Sequence, residues 1–375
     1  MHAISATDDW YVRVKETFAL ERGDAAVRLC AGCHAPVALM TGEVGLYNPE
    51  DATSRQGMSC SICHTLDAVR GGNGAYVSNS ARVRAYLGSE GLESTAQGSG
   101  LGAGLSRFLL WQKPEAHIQD MGRGGNSSLL TSGQTCRACH SFTINNVKVQ
   151  STWDEWQASS AAKKGVTCQA CHFRQSGNPN TPEAGEVANG RVRDQVFAHS
   201  LAGGSTMQPP RGMDNIETLK QSLKLEPRFQ NGVLEVKVTN LMAGHSIPTG
   251  VTDLRQLWLE VIATDSTGKT VFNSGTLDRA GNVLEGSSMF HVVLADAQGQ
   301  KLERHDIWRV AKVLEDTRIP AESSRTSRFQ IPTNARNVRV RLLWRDAPAR
   351  FAEFVLKVPG SSLPVQELAS WQGQR

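Results

Sequence analysis

The chain has 375 residues, of which 39% are hydrophobic and 20% charged, a composition typical of a folded globular protein and not of a disordered one. Its formal charge is +4 and the basic residues form no runs, so the sequence predicts neither nucleic-acid binding nor a polybasic membrane anchor. No apolar stretch approaches the roughly 18 residues of a membrane span, which excludes a transmembrane segment within these residues.

The first predicted element is a helix over 9–22, and a second helix is predicted over 151–164. Between and around them the chain carries 8 cysteines in four pairs of one spacing, each followed at once by histidine. The four motifs are Cys30, Cys33 and His34; Cys60, Cys63 and His64; Cys136, Cys139 and His140; and Cys168, Cys171 and His172.

Cys-x-x-Cys-His is the attachment signal of c-type haem. Two thiols about one helical turn apart can add to the two vinyl groups of the porphyrin, and the adjacent imidazole then binds the iron as proximal ligand. Zinc knuckles and redox dithiols also use Cys-x-x-Cys, but neither requires histidine in the next position. The pattern therefore predicts four haem c groups and leaves no cysteine for a structural disulfide.

Haem is attached to thiols outside the cytoplasm, so we expect a periplasmic or extracellular protein. Residues 1–5 nevertheless lack the basic region, apolar core and cleavage site of a secretory signal. We interpret the chain as one from which a signal has been removed or as a fragment of a longer protein.

Bis-histidine ligation needs a second imidazole for each iron, and six histidines remain outside the motifs. His117, His199 and His245 are the candidate distal ligands, since they lie near motifs or in a tight loop. Small residues beside His199 and His245 would let the backbone approach a flat ring closely. His2 is weaker on these grounds because chain termini usually fray.

His291 and His305 lie in strand-like runs, where a structural histidine of a sheet is the favoured interpretation. Methionine is the other axial ligand to consider, although it more often fills cores. The methionines near motifs are Met40, Met58, Met121, Met207 and Met242.

Further patterned segments are 29–42, 57–65, 153–172, 197–204, 244–250 and 255–261. Together with the motifs they resemble multihaem c-type cytochromes of the cytochrome c-554-like type that carry a C-terminal β-sandwich. The resemblance implies that His2 ends a Ser-Met-His-Ala segment and is a distal ligand, and that a further haem motif precedes the first residue. It also implies distal roles for His117, His199 and His245. The chain departs from the family at Leu130, where a second histidine often stands, so His117 has no local substitute.

The spacing of the motifs indicates two similar di-haem modules, 30–64 and 136–172, joined by a glycine-rich connector over 71–104. After a linker at 203–212, alternating apolar and polar residues predict strands. The strand candidates are 234–239, 257–264, 289–296, 306–314, 327–331, 338–344 and 354–358. Such short strands favour an immunoglobulin-like β-sandwich, with a barrel as the alternative.

The predicted fold class is therefore α+β multidomain. A largely irregular, short-helix tetrahaem domain is expected over 1–212, and a β-sandwich domain that contributes a haem-ligand loop around His245 is expected over 213–375.

The leading hypothesis for function is electron transfer along mostly bis-histidine haems, with redox proteins, including other multihaem cytochromes, as partners. The alternative is an oxidoreductase that acts on a small nitrogen or sulfur compound at one five-coordinate haem. A homo-oligomer or filament that stacks haems between subunits is a third hypothesis.

Overall fold

The computed structural model describes residues 2–42, 55–78, 99–102, 104–105, 108, 127–173, 184–186, 192–194, 196–197, 199, 201 and 212–375. Both helices and strands are present, as expected of an α+β protein. The chain divides into two compact units: unit 1 is Met1–Ser141 with Val166–Ala202, and unit 2 is Phe142–Gly165 with Gly203–Arg375. Within the described residues, no helix has the length and hydropathy needed to cross a membrane.

The α-helices whose bounds lie within the described residues are α1 (Asp9–Arg22), α2 (Arg28–His34), α3 (Pro36–Thr41), α4 (Cys60–His64), α5 (Ser127–Leu130), α6 (Gln134–His140), α7 (Thr152–Ala158), α8 (Ser160–Lys163), α9 (Cys168–His172), α10 (Gly212–Ser222) and α11 (Ala349–Phe351). Short 3-10 turns cover His2–Ile4, Asp24–Val27, Ile307–Arg309 and Gly360–Ser362, and a π-helical turn covers Ala352–Leu356.

The strands are β1 (Leu66–Val69), β2 (Tyr76–Ser78), β3 (Phe142–Ile144), β4 (Val147–Gln150), β5 (Gly185–Glu186), β6 (Val192–Arg193), β7 (Leu223–Gln230), β8 (Val233–Asn240), β9 (Gln256–Thr264), β10 (Thr270–Ser274), β11 (Met289–Phe290), β12 (Val292–Ala295), β13 (Lys312–Asp316), β14 (Ser324–Gln330), β15 (Asn337–Arg345) and β16 (Gln366–Gln374).

The first predicted helix is confirmed as α1. The Asp8 carboxylate accepts hydrogen bonds from Trp10 N and Tyr11 N at its start, and the chain leaves the helix at Gly23 with φ 84°. The second predicted helix is interrupted at Ser159, which is extended and accepts a hydrogen bond from Ala162 N through its hydroxyl. Serine competes with the helix backbone in this way, so the segment forms α7 and α8 instead of one helix.

Unit 2 contains a five-stranded antiparallel sheet of order β10-β9-β15-β16, in which β11 also pairs with β9, and a three-stranded sheet of order β14-β8-β7. The predicted alternation on β8 is confirmed, because Leu234, Val236 and Val238 are fully buried while Lys237 is exposed. These side chains share one apolar cluster with residues of β9 and β15, so the core of unit 2 takes its members from both sheets.

Three strand predictions need correction. The run 289–296 is broken at His291 because β11 pairs with β9 whereas β12 pairs with β13 in a different sheet. The run 306–314 begins as a 3-10 turn, and its strand occupies Lys312–Asp316. The run 354–358 is not a strand: the π-helical turn covers its first three residues, and Lys357 follows in the left-handed conformation with φ 60°.

The compact units divide the chain differently from the expected boundary at 212. The segment Phe142–Gly165, which lies between the third and fourth motifs, belongs to unit 2. Val149 of β4 joins an apolar cluster with Leu294 and Val310, and Thr252 donates a hydrogen bond to Val149 O (3.0 Å). The sequence analysis assigned this segment to the haem domain because it lies between two haem motifs, whereas its packing partners are far away in the sequence.

A partly buried ion pair lies in unit 2. His305 Nδ1 is 2.8 Å from Asp253 Oδ2, and the side chains of His305 and Asp253 are 22% and 4% exposed. Burial opposes the charge on His305, but the Asp253 carboxylate outweighs it and raises the pKa of His305 above its usual 6.5.

We expect Asp253→Asn to lower the melting temperature more at pH 6 than at pH 8. The stabilisation by protonated His305 is fully present below pH 6.5, the ordinary pKa in the unfolded chain, and is lost as the pH rises through the higher folded-state pKa. The loss at pH 6 should be about 1–2 kcal/mol. Asp154→Asn, which removes a half-exposed pair with Lys148, is the control. An equal loss at both pH values would contradict the assignment.

Candidate haem centres

Each Cys-x-x-Cys-His motif forms a short helix that ends at its histidine. In α2 and α6 the motif occupies the last turns, whereas α4 and α9 consist of the motif alone. Cysteines three positions apart on a helix lie on the same face, so both sulfurs of a motif can reach one edge of a flat ligand. The local backbone therefore has the geometry that attachment of haem requires.

The hairpin β1–β2 follows α4 directly and binds the end of α6. Asn73 N donates a hydrogen bond to Ser141 O (2.9 Å), and Gly74 N donates one to Ala138 O (2.6 Å). A Cβ at Gly72 would lie 2.0 Å from Ser141 O, so only glycine permits this approach. The hairpin thus joins the second motif to the third.

Strand β2 also reaches the first motif. The Tyr76 hydroxyl donates a hydrogen bond to Gly32 O (2.9 Å), the carbonyl that lies between the two cysteines of α2. Burial raises the pKa of Tyr76, and the nearby thiols of Cys139, Cys33 and Cys63 raise it further. Tyr76 therefore lies close to sulfurs from three motifs.

Cysteines of different motifs also lie close enough to influence one another's ionisation. A hydrogen bond with Cys139 lowers the pKa of Cys33, and a hydrogen bond with Cys136 lowers the pKa of Cys168. Cys63 lies close enough to both cysteines of α6 to influence their ionisation, and burial raises its own pKa to about 11. The third motif is therefore adjacent to each of the other three.

Two histidine pairs combine a motif histidine with a candidate distal ligand. The ring centroids of His140 and His2 are 5.9 Å apart, and those of His64 and His199 are 6.3 Å apart. Since a metal–imidazole bond is about 2 Å, two imidazoles on opposite sides of one metal ion have centroids about 6 Å apart. Both pairs match this separation, and Phe173 packs beside His199 with a centroid distance of 5.2 Å.

His2 is anchored, in contrast to the fraying expected from its position. Met58 N donates a hydrogen bond to His2 O (2.8 Å), and a Cβ at Gly57 would lie 2.5 Å from the same oxygen. Burial above all lowers the pKa of His2 to about 4, and its buried Nδ1 has no hydrogen-bond partner among the described residues. A neutral imidazole with an unbonded buried nitrogen suits a metal ligand, which must be deprotonated.

The first motif has a different neighbour. Tyr11 of α1 stacks on His34 with ring centroids 4.5 Å apart and planes 4° apart, and Lys15 Nζ lies 5.6 Å from the Tyr11 centroid. Sequence reasoning missed Tyr11, Lys15 and Tyr76. Tyr11 and Lys15 are four residues apart on a predicted helix, and this spacing could have indicated that their side chains lie on the same face.

His245 belongs to unit 2, in the loop that follows β8. Its Nδ1 is 3.0 Å from Ser246 O, and Gly244 packs closely against Trp156 and Ala161 of α7 and α8. His291 Nε2 is 3.6 Å from Glu315 Oε2. This contact and the His305–Asp253 pair agree with structural roles for His291 and His305.

Five of the remaining candidates fall into two groups. His117, Met121 and Met207 lie outside the described residues. Met40 and Met58 pack against the buried side chains of Val37 and Ile62, which agrees with the core-filling interpretation.

A solved structure shares this fold. The penta-heme cytochrome c552 from Thermochromatium tepidum is similar with a TM-score of 0.62 and 20% sequence identity, over 92% of this chain and 84% of that chain. No protein-family model matches the chain. No curated protein matches it in sequence.

The site residues fit the predicted haem groups. Thiols one turn apart and a histidine at each helix end are the donor set for attachment of haem c, and the motif histidines His140 and His64 each have a second imidazole at the spacing of two axial ligands.

Gly72→Ala should destabilise unit 1 because the added Cβ collides with Ser141 O and breaks the contact between the hairpin and α6. We expect a loss of about 1–3 kcal/mol, the usual range for overpacking, seen as a lower melting temperature of the haem-loaded protein. Gly102→Ala is the matched control, since its Cβ would meet no atom of the described residues within 4 Å. A melting temperature that falls no further than in the control would show that the approach is not required.

Proposed function

We propose that the chain is a tetrahaem c-type cytochrome that passes electrons along covalently bound, mostly bis-histidine haems outside the cytoplasm. The observation that carries this proposal is the pairing of His140 with His2 and of His64 with His199 at 5.9 and 6.3 Å. The shared fold with a penta-heme cytochrome supports the same class of protein.

The residues have distinct roles in the proposal. Each cysteine pair forms two thioethers, and His34, His64, His140 and His172 are proximal ligands. His2 and His199 are the distal partners of His140 and His64, while His117 and His245 remain the candidates for the other two positions. When bound, haem supplies a one-electron iron couple whose potential is tuned by its ligands and burial.

Two imidazoles on one iron leave no position for a substrate, so this ligand set favours electron transfer over substrate conversion. The competing function is oxidation or reduction of a small nitrogen or sulfur compound. It requires that at least one distal histidine does not bind iron, which makes the coordination state the property that separates the two functions.

The contacts between sulfurs support a central place for the third attachment. Cys139 meets Cys33, Cys136 meets Cys168, and Cys63 lies near both cysteines of α6. Groups attached at the first, second and fourth motifs would each be neighbours of the group attached at the third. We therefore propose a branched arrangement of attachments in place of a linear one.

The proposal extends to unit 2 and to the partners of the protein. The two sheets that share one core support an immunoglobulin-like β-sandwich whose loop presents His245.

A periplasmic or extracellular location follows from haem attachment, and the expected partners are redox proteins, including other multihaem cytochromes. Size measurement of the haem-loaded protein would detect a homo-oligomer or filament.

His2→Ala and His199→Ala should each convert one haem from low-spin to high-spin, because each removes the distal member of a pair. Low-temperature electron spin resonance of the oxidised protein would count the high-spin haems, and carbon monoxide binding to the reduced protein would report the open position. Each variant should open one haem, and the double variant should open two.

His291→Ala is the control, since His291 lies beside Glu315 and not beside a motif histidine. If either variant kept all haems low-spin, its assigned pair would be wrong. An open haem in the unaltered protein would favour the substrate-converting function.

A further inference from the structure

The peptide group between His245 and Ser246 is held at both of its polar atoms. Asn240 Nδ2 donates a hydrogen bond to His245 O (2.9 Å), and Ser246 N donates one to Glu155 Oε2 (2.9 Å). Asn240 and Ser246 are 1% and 7% exposed, so water does not easily replace these bonds. The peptide plane cannot rotate without breaking one of them.

The next peptide group, between Ser246 and Ile247, sets the state of the imidazole. His245 Nδ1 lies 3.0 Å from its carbonyl, Ser246 O, and a carbonyl can only accept a hydrogen bond. Ile247 N of the same peptide donates a hydrogen bond to Ile319 O (2.9 Å), so Ser246 is held on both sides. Nδ1 is therefore the protonated nitrogen of the neutral ring, and Nε2 carries the lone pair that a metal needs.

Glu155 is itself fixed by charge. Arg318 Nη1 is 2.8 Å from Glu155 Oε1, and Arg318 Nη2 is 2.8 Å from Asp316 Oδ2. Ser151 Oγ donates a further hydrogen bond to Glu155 Oε1 (2.6 Å). The side chains of Arg318 and Glu155 are 9% and 18% exposed, so the pair is shielded from water and has one geometry.

We propose that Glu155 is a positioning residue for His245. Glu155 holds the peptide that joins His245 to Ser246, and so it fixes the place of Ser246, whose own carbonyl selects the Nδ1–H tautomer of His245. Direct hydrogen-bond partners of a ligating histidine typically change ligand affinity by about 10–100-fold when removed, and we expect the lower end of this range for Glu155, which acts through Ser246. The inference rests on the proposed function, in which His245 is a distal ligand.

The test compares Glu155→Ala and Glu155→Gln with His245→Ala in the haem-loaded full chain. Carbon monoxide competes with a distal histidine for reduced iron, so we expect Glu155→Ala to bind it about tenfold faster at one haem, the haem that His245→Ala opens. Glu155→Gln should show a smaller increase, because its amide oxygen still accepts from Ser246 N. If a variant changes the affinity of His245 for ferric relative to ferrous iron tenfold, the potential of that haem shifts by about 59 mV.

Asp154→Asn is the matched control, because Asp154 is a half-exposed carboxylate on the same helix, paired with Lys148. If His245→Ala opens a haem but both Glu155 variants bind carbon monoxide as the control does, the positioning role is wrong, even if their melting temperatures fall. If His245→Ala leaves every haem low-spin, the ligand assignment within the proposed function fails, and the role of Glu155 fails with it.

Discussion

The close approach of the hairpin β1–β2 to the end of α6 is the constraint on which the arrangement of unit 1 depends. A short motif helix has little stability of its own, because a helix of five to seven residues cannot offset its nucleation cost. The hairpin supplies the missing tertiary contacts: Gly72 and Asn73 meet Ser141 of the third motif region, and Tyr76 bonds to Gly32 of the first. The hairpin follows directly after α4, which contains the second motif, so it connects that motif to the first and the third.

The two units differ in what stabilises them. In unit 2 the inner faces of two sheets share one extended cluster of buried aliphatic and aromatic side chains. The apolar clusters described in unit 1 are small, one built largely of alanines and one around Val37 and Ile62. Porphyrin rings are large apolar surfaces, so haems attached at the motifs would add to the apolar surface of the described side chains of unit 1. In the proposed function, attachment of haem would therefore favour folding of unit 1.

The sequence predicted well several features that depend on neighbouring residues. The helix α1 and the alternation on β8 follow from helical and strand spacings, although the helix predicted over 151–164 is interrupted at Ser159. Features that depend on distant residues were missed: the switch of sheets at His291, the packing of 142–165 into unit 2, and the contacts of Tyr76 and Glu155. The predicted strand at 354–358 failed because the backbone there forms a π-helical turn, and a short apolar run is compatible with a helical turn as well as with a strand. His2 was undervalued because its anchoring comes from Gly57 and Met58, more than fifty residues away.

The central claim is that four irons are bound, two of them by the pairs His140–His2 and His64–His199. Anomalous diffraction from crystals of the haem-loaded protein, measured on both sides of the iron absorption edge, tests it most directly. The account predicts four iron peaks, one between His140 and His2 and one between His64 and His199, each with both imidazoles at bonding distance. Peaks that respond to the zinc edge instead, or an iron bound to His140 or His64 with its named partner turned away, would contradict the account.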